Sequence, residues 1–131
     1  MSVGRQLATE FSFINYRGTL SDQQLIDEVK TWSVLLNPVF WYSRGASTKL
    51  AQAINWGIPC ITTPAGRRGY DLQDEEIVTD NDTPESFADK LIKALQNEDY
   101  LARLKKASEQ NAKEFNAEIH INRLKTFLQS F

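Results

Sequence analysis

The chain is poor in the residues that cross-link or metallate small proteins: its 131 residues include one cysteine and one histidine. A lone Cys60 cannot close an internal disulfide, and within the apolar run IPCITTP it reads as a small core residue rather than a reactive thiol. His120 sits on a helical stretch without a Cys, His or carboxylate at ligand spacing, so no metal site is expected and no cofactor. No run of about 18 apolar residues is present to cross a bilayer, and no charged-then-apolar leader pattern is visible. A reducing, cytoplasmic setting is the expectation. An excess of positive charge is missing too. Lys and Arg number 15 against 17 Asp and Glu, a formal charge of -2, which argues against a dedicated nucleic-acid binder while leaving room for local patches. Internal repeats and low-complexity segments are absent from the sequence.

What remains is an ordinary globular composition. Hydrophobic residues make up 41%, with 7 Phe, 4 Tyr and 3 Trp, enough to build a core and far from the composition of disordered chains. The length suits one domain over residues 1–131. FSFINYRG, residues 11 to 18, alternates large apolar residues before a glycine and predicts a short strand ending near Tyr16. Ser21 followed by Gln24 has the spacing of a capping box, and Leu25, Ile26, Val29 and Trp32 recur at helical spacing behind it. SVLLNPV, residues 33 to 39, is a nearly continuous apolar run, as in a strand covered on both faces. A second helix is expected from about Gly45 to Trp56, closed by Gly57, and IPCIT is the next buried strand. A loop over 64–75 leads to EIVTD, a further short strand, and Thr83-Pro84 then opens a helical remainder with three apolar stripes, the last on Ile121, Leu124, Leu128 and Phe131. This order is that of an α/β fold, a Rossmann-like parallel sheet flanked by helices, with a helical C-terminus.

In open parallel sheets ligands bind beyond the carboxyl ends of the strands, where helix N-termini present unpaired N–H groups. The loops at that edge hold Arg17 and Gly18; Arg44, Gly45, Ser47, Thr48 and Lys49; and Gly66, Arg67, Arg68 and Gly69. A mildly acidic chain that gathers five cations there, beside glycines that let backbone approach a ligand, suits a phosphate-bearing anion. Plainer roles fit several of these residues as well. Gly57 suits a helix boundary, Ser47 and Thr48 suit N-caps whether or not a ligand is present, and Arg67-Arg68 suits a solvated pair. Phe40-Trp41-Tyr42 reads as core or partner surface, or as a stacking platform.

The run NPVFWYSRGASTKLAQAINWGIPCITTPAGRRGY, with YRGTLSDQQL upstream, resembles the C-terminal, donor-binding domain of GT-B fold glycosyltransferases of the group 1, family 4-like type. The shared order is Gly18, Ser21, Pro38, Gly45, Lys49, the stretch Gln52-Ala53-Ile54-Asn55-Trp56-Gly57-Ile58-Pro59, and Thr62 to Gly66. The resemblance implies part of the C-terminal half of a GT-B fold, binding a nucleotide-diphosphate sugar and transferring the sugar to an acceptor glycan or lipid, as in polysaccharide or glycoconjugate assembly. By the same analogy, backbone at Gly18 and Thr19 faces the base, the helix start at Gly45 to Thr48 the diphosphate or sugar, and position 52 the ribose hydroxyls. Two departures stand out. The family's paired glutamates, eight residues apart, fall on Arg44 and Gln52: Gln52 still exchanges hydrogen bonds with hydroxyls, whereas Arg44 reverses the charge. The family's opening strand-helix-strand unit and its N-terminal acceptor domain have no counterpart here, so the resemblance implies a truncated piece of a longer transferase, inactive alone and associated with membranes only through the full-length protein. The competing reading is a non-catalytic Rossmann-like interaction module that has lost the donor site.

Overall fold

Short polar side chains start every helix. The computed structural model describes residues 2–42, 44–71 and 77–131. Among them the elements run α1 (Val3–Glu10), α2 (Asp22–Val29), β1 (Leu35–Asn37), α3 (Thr48–Trp56), β2 (Cys60–Thr62), α4 (Pro64–Arg67), α5 (Pro84–Gln96), α6 (Glu98–Glu114) and α7 (Ala117–Gln129). Ser2, Ser21, Ser47, Thr63, Thr83, Asn97 and Asn116 occupy the N-caps, and each accepts a hydrogen bond from a first-turn N–H. Each such bond satisfies a donor the helix cannot, a gain of about 1 kcal/mol.

The chain forms two units, residues 1–32 and 33–131. In the first, the expected capping box is present: the Ser21 hydroxyl accepts from the Gln24 N–H, and the Gln24 side chain accepts from the Ser21 N–H. Tyr16 lies so close to Gly4 that a Cβ there would sit 3.0 Å from the ring, and the Arg5 guanidinium lies 5.8 Å from the ring centroid. The expected strand over residues 11 to 16 does not form. A strand needs a neighbour to take its N–H and C=O groups, and this unit has none among the described residues; the segment turns instead, with the Ile14 N–H on the Phe11 carbonyl and Phe13 83% exposed. Helix α1 was not legible as an element in the sequence pattern. Its apolar residues are few, and it buries none of them.

In the second unit β1 and β2 pair in parallel, Leu35 opposite Cys60 and Asn37 opposite Thr62. EIVTD contributes a single parallel bridge between Val78 and Thr62 rather than a full strand, and its first residue lies outside the described residues, as do 72–75 of the expected loop. Where the rest of that loop was expected, Pro64–Arg67 closes a short helix. The core is built from Leu50, Ala53 and Ile54 of α3, Cys60 and Ile61 of β2, Ile77, Phe87 and Ala94 of α5, and Tyr100, Leu104 and Ala107 of α6. Phe40 joins it edge-on to Phe87, 5.9 Å between centroids. Gly57 ends α3 in the left-handed region at φ 65°, as its place after the helix suggested, and its N–H reaches back to the Ala53 and Ile54 carbonyls. The architecture is α/β with a small parallel sheet, covering helices and a helical C-terminus. No helix among the described residues is long and apolar enough to cross a membrane.

Candidate functional site

The carboxyl ends of β1 and β2 carry polar side chains inside the protein, and these set the loops around them. Asn37, the last residue of β1, is buried, and burying an amide costs free energy unless its groups are paired. Its Nδ2 donates to Thr62 Oγ1 at 3.0 Å and to the Gly66 carbonyl at 3.5 Å, while its Oδ1 accepts from the Ser47 hydroxyl at 3.2 Å. The Thr63 hydroxyl donates to the Val39 carbonyl and accepts from the Gly66 N–H. Gly66 closes this knot: a Cβ there would fall 2.5 Å from Thr62 Oγ1 and 2.8 Å from Asn37 Nδ2.

One shell outward, the loop before α3 and the loop after α4 are joined. Arg68 Nη2 donates to the Gly45 carbonyl at 3.2 Å, and its guanidinium stacks 4.4 Å from the Tyr42 ring centroid. The Tyr70 hydroxyl donates to the Ser47 carbonyl at 2.7 Å. Gly69, at φ 88°, lies against Ala46, where a Cβ would approach to 3.0 Å. The residues expected from the sequence at these two loops are therefore brought together, but with unequal freedom. Ser47 spends its proton on Asn37 and accepts from the Leu50 N–H, so it is a cap and a brace. Gly66 is buried with both backbone groups bonded. Arg68 is engaged. Arg44, Gly45, Thr48, Lys49, Gln52 and Arg67 are exposed, and Arg44, Lys49 and Arg67 make no ion pair among the described residues.

Two helix starts face this edge, and they differ. The Ala65 N–H at the start of α4 donates to Asp82 Oδ1 at 2.7 Å, so that end already holds a carboxylate. In the first turn of α3 the Leu50 N–H is taken by Ser47, whereas the Thr48 and Lys49 amides have no partner among the described residues. Gln52 follows one turn on, at i+4 from Thr48 and i+3 from Lys49, on the same exposed side. A cleft of about 550 Å³ at α4 is lined by Tyr42, Pro64, Arg67, Arg68, Tyr70 and Asp82.

Gly18 and Thr19 belong to the first unit, where Gly18, at φ 67°, borders an open groove of about 530 Å³ with Arg5, Asn15, Tyr16 and Arg17. Arg17 is not a free cation; its guanidinium pairs with Glu28 at 3.2 Å. Of the aromatic run, expected together as core or partner surface, Phe40 is half-buried against the core cluster, while Trp41 and Tyr42 are 73% and 80% exposed. Burial pushes the Cys60 thiol up to about 12, which removes it as a nucleophile. Sequence reasoning did not find the roles of Asn37, Tyr70 and Asp82. Asn37 before Pro38 signalled only a strand end, and nothing local to Tyr70 or Asp82 announces a partner more than a dozen residues away.

No curated protein and no solved structure matches the chain significantly. The family model for glycosyl transferases group 1 matches residues 3–97, more than half of the sequence, and that span contains every residue singled out above for the site. With a parallel β1-α3-β2 unit and a basic rim at the strands' carboxyl ends, this chain belongs to the group 1 glycosyltransferases.

Proposed function

We propose that the second unit binds the diphosphate of a nucleotide-diphosphate sugar at the start of α3, and that the chain acts as the donor half of an enzyme transferring that sugar to an acceptor glycan or lipid. The observation that carries this reading is the open first turn of α3: two unpartnered amides, Thr48 and Lys49, at the positive end of a helix, with the exposed cations Arg44 and Lys49 beside them. Gly45 lets the ligand approach the backbone, Gln52 is one turn away for the ribose hydroxyls, and Arg67 lines the adjoining cleft. The Asp82 carboxylate at the start of α4 mimics how an anion would be held there and steers the phosphates to α3. Stabilising a departing nucleoside diphosphate takes several preorganised donors, and the Thr48 and Lys49 amides with the Arg44 and Lys49 side chains are the ones offered at the start of α3, so nucleotide binding is the property to read first. A cytoplasmic site of action fits the buried, reduced Cys60.

Titration with a nucleoside diphosphate tests this. Amide resonances at Gly45 to Gln52 and at Arg67 should shift, and Lys49→Ala should weaken the affinity by roughly tenfold or more, the worth of one charge-assisted hydrogen bond. Gln52→Glu, which supplies the carboxylate usual in the family, should tighten nucleotide binding relative to the nucleobase alone. If millimolar nucleotide leaves these resonances unmoved, the second reading stands, a scaffold that has lost its donor site. Arg44 and Gln52 at the family's glutamate positions, and the exposed Trp41 and Tyr42, favour that alternative.

A further inference from the structure

The two open amides of α3 are not held alike. A trans peptide is planar, so its C=O and N–H point in opposite directions and turning one turns the other. The Thr48 N–H belongs to the peptide whose carbonyl is that of Ser47. The Lys49 N–H belongs to the next peptide, whose carbonyl, that of Thr48, lies within the helix. Ser47 is the N-cap, with extended backbone at φ -70° and ψ 117°, and one helical hydrogen bond reaches its carbonyl, from the Ala51 N–H at 3.1 Å. Tyr70 supplies a second. Its hydroxyl donates to the same oxygen at 2.7 Å from the loop after α4, 23 residues on. Both lone pairs of the Ser47 carbonyl are then engaged.

The tyrosine is itself fixed along its length. Its N–H donates to the Arg67 carbonyl at 3.0 Å, Gly69 before it seats against Ala46, and its ring lies 6.2 Å from that of Phe115, the C-cap of α6. Tyr70 and Phe115 are both half-buried and pack on the core cluster. We propose that Tyr70 is a positioning residue for nucleotide binding, a role that rests on the diphosphate binding at the start of α3. By holding the Ser47 carbonyl, the hydroxyl aims the Thr48 N–H out of the helix start toward the phosphates. Accepting a second hydrogen bond also polarises that peptide, which makes its N–H the stronger donor. An amide fixed before the ligand arrives has little orientational freedom left to lose, so the contact keeps more of its worth. A plain brace between two loops would serve folding and leave nucleotide affinity indifferent to the hydroxyl.

Tyr70→Phe in the full chain tests this, with UDP, GDP and ADP as probes. The ring stays against Phe115 and the Ser47 carbonyl keeps Ala51, so a thermal melt close to the native one is expected. In the free variant the Ser47 carbonyl carbon and the Thr48 amide nitrogen should both move upfield, the signature of a hydrogen bond lost from that peptide. The Lys49 amide should move less. Affinity for whichever diphosphate the native chain binds should fall severalfold, up to about tenfold, the worth of one neutral hydrogen bond. Native diphosphate affinity in the variant overturns the proposal and leaves the donor-site reading standing. So does a loss of affinity with the Ser47 and Thr48 resonances of the free variant unmoved, which would make the hydroxyl a direct contact instead. A native chain that binds none of the three diphosphates overturns both.

Discussion

Single residues at this site act through what they exclude as much as through what they contact. Gly66 has room for a hydrogen and nothing larger, because Thr62 Oγ1 and Asn37 Nδ2 are bonded to each other at 3.0 Å beneath it and cannot swing aside. Alanine is the better helix former by up to about 1 kcal/mol, so propensity alone predicts that Gly66→Ala stabilises α4. Overpacking of a buried, bonded pair costs about 1–3 kcal/mol and wins. Urea unfolding should therefore show a lower midpoint for Gly66→Ala; an unchanged or raised midpoint would mean the knot relaxes. The same buried surroundings keep Cys60 protonated across the physiological range, which is why its presence in a short apolar strand carries no chemistry.

At the level of elements, α3 ties the core to the rim. Leu50, Ala53 and Ile54 face inward, and Thr48, Lys49 and Gln52 face out. Its cap is also a brace, since the Ser47 hydroxyl holds both the Leu50 N–H and Asn37 Oδ1. Ser47→Ala removes a cap worth about 1 kcal/mol and leaves a buried acceptor unpaired at a further cost of about 1–3 kcal/mol. Thr83→Ala removes an exposed cap from α5 and an exposed hydroxyl donor to Asn81 Oδ1, which still accepts from the Thr83 N–H. Chemical denaturation should rank Ser47→Ala as clearly the more damaging; equal losses would mean Asn37 Oδ1 finds water instead. Helix α7 shows the opposite case, an element whose apolar face its own unit leaves uncovered.

Across the whole molecule, the division into units concentrates stability in one of them. Every residue of the buried cluster lies in 33–131, whereas Val29 is the sole buried side chain among the described residues of 1–32. Residues 33–131 expressed alone should unfold in urea in a single sigmoidal step, with a slope in the range of about 1–3 kcal/mol per molar usual for small domains. A gradual, featureless loss of circular dichroism would show that the first unit is needed to complete the fold. Group 1 glycosyltransferase membership is a property of the chain at this scale too, since the matched span takes in nearly all of the first unit and the sheet of the second.

The starts of α2, α3 and α5, the parallel order of the buried runs and the glycine that ends α3 were legible from the sequence alone, because capping, periodicity and φ preference act within about four residues. The strand over 11 to 16 was misread for the complementary reason: alternation describes a strand's faces and says nothing about whether a neighbour exists to take its hydrogen bonds. Tertiary structure decided the rest. Asn37 meets Thr62 across 25 residues, Arg68 meets Gly45 across 23, and Asp82 fills the start of α4 from 17 residues away. Those contacts turn a row of similar polar letters into braces at Ser47 and Gly66 and open groups at Thr48 and Lys49, since only folding determines which donors and acceptors are already spent.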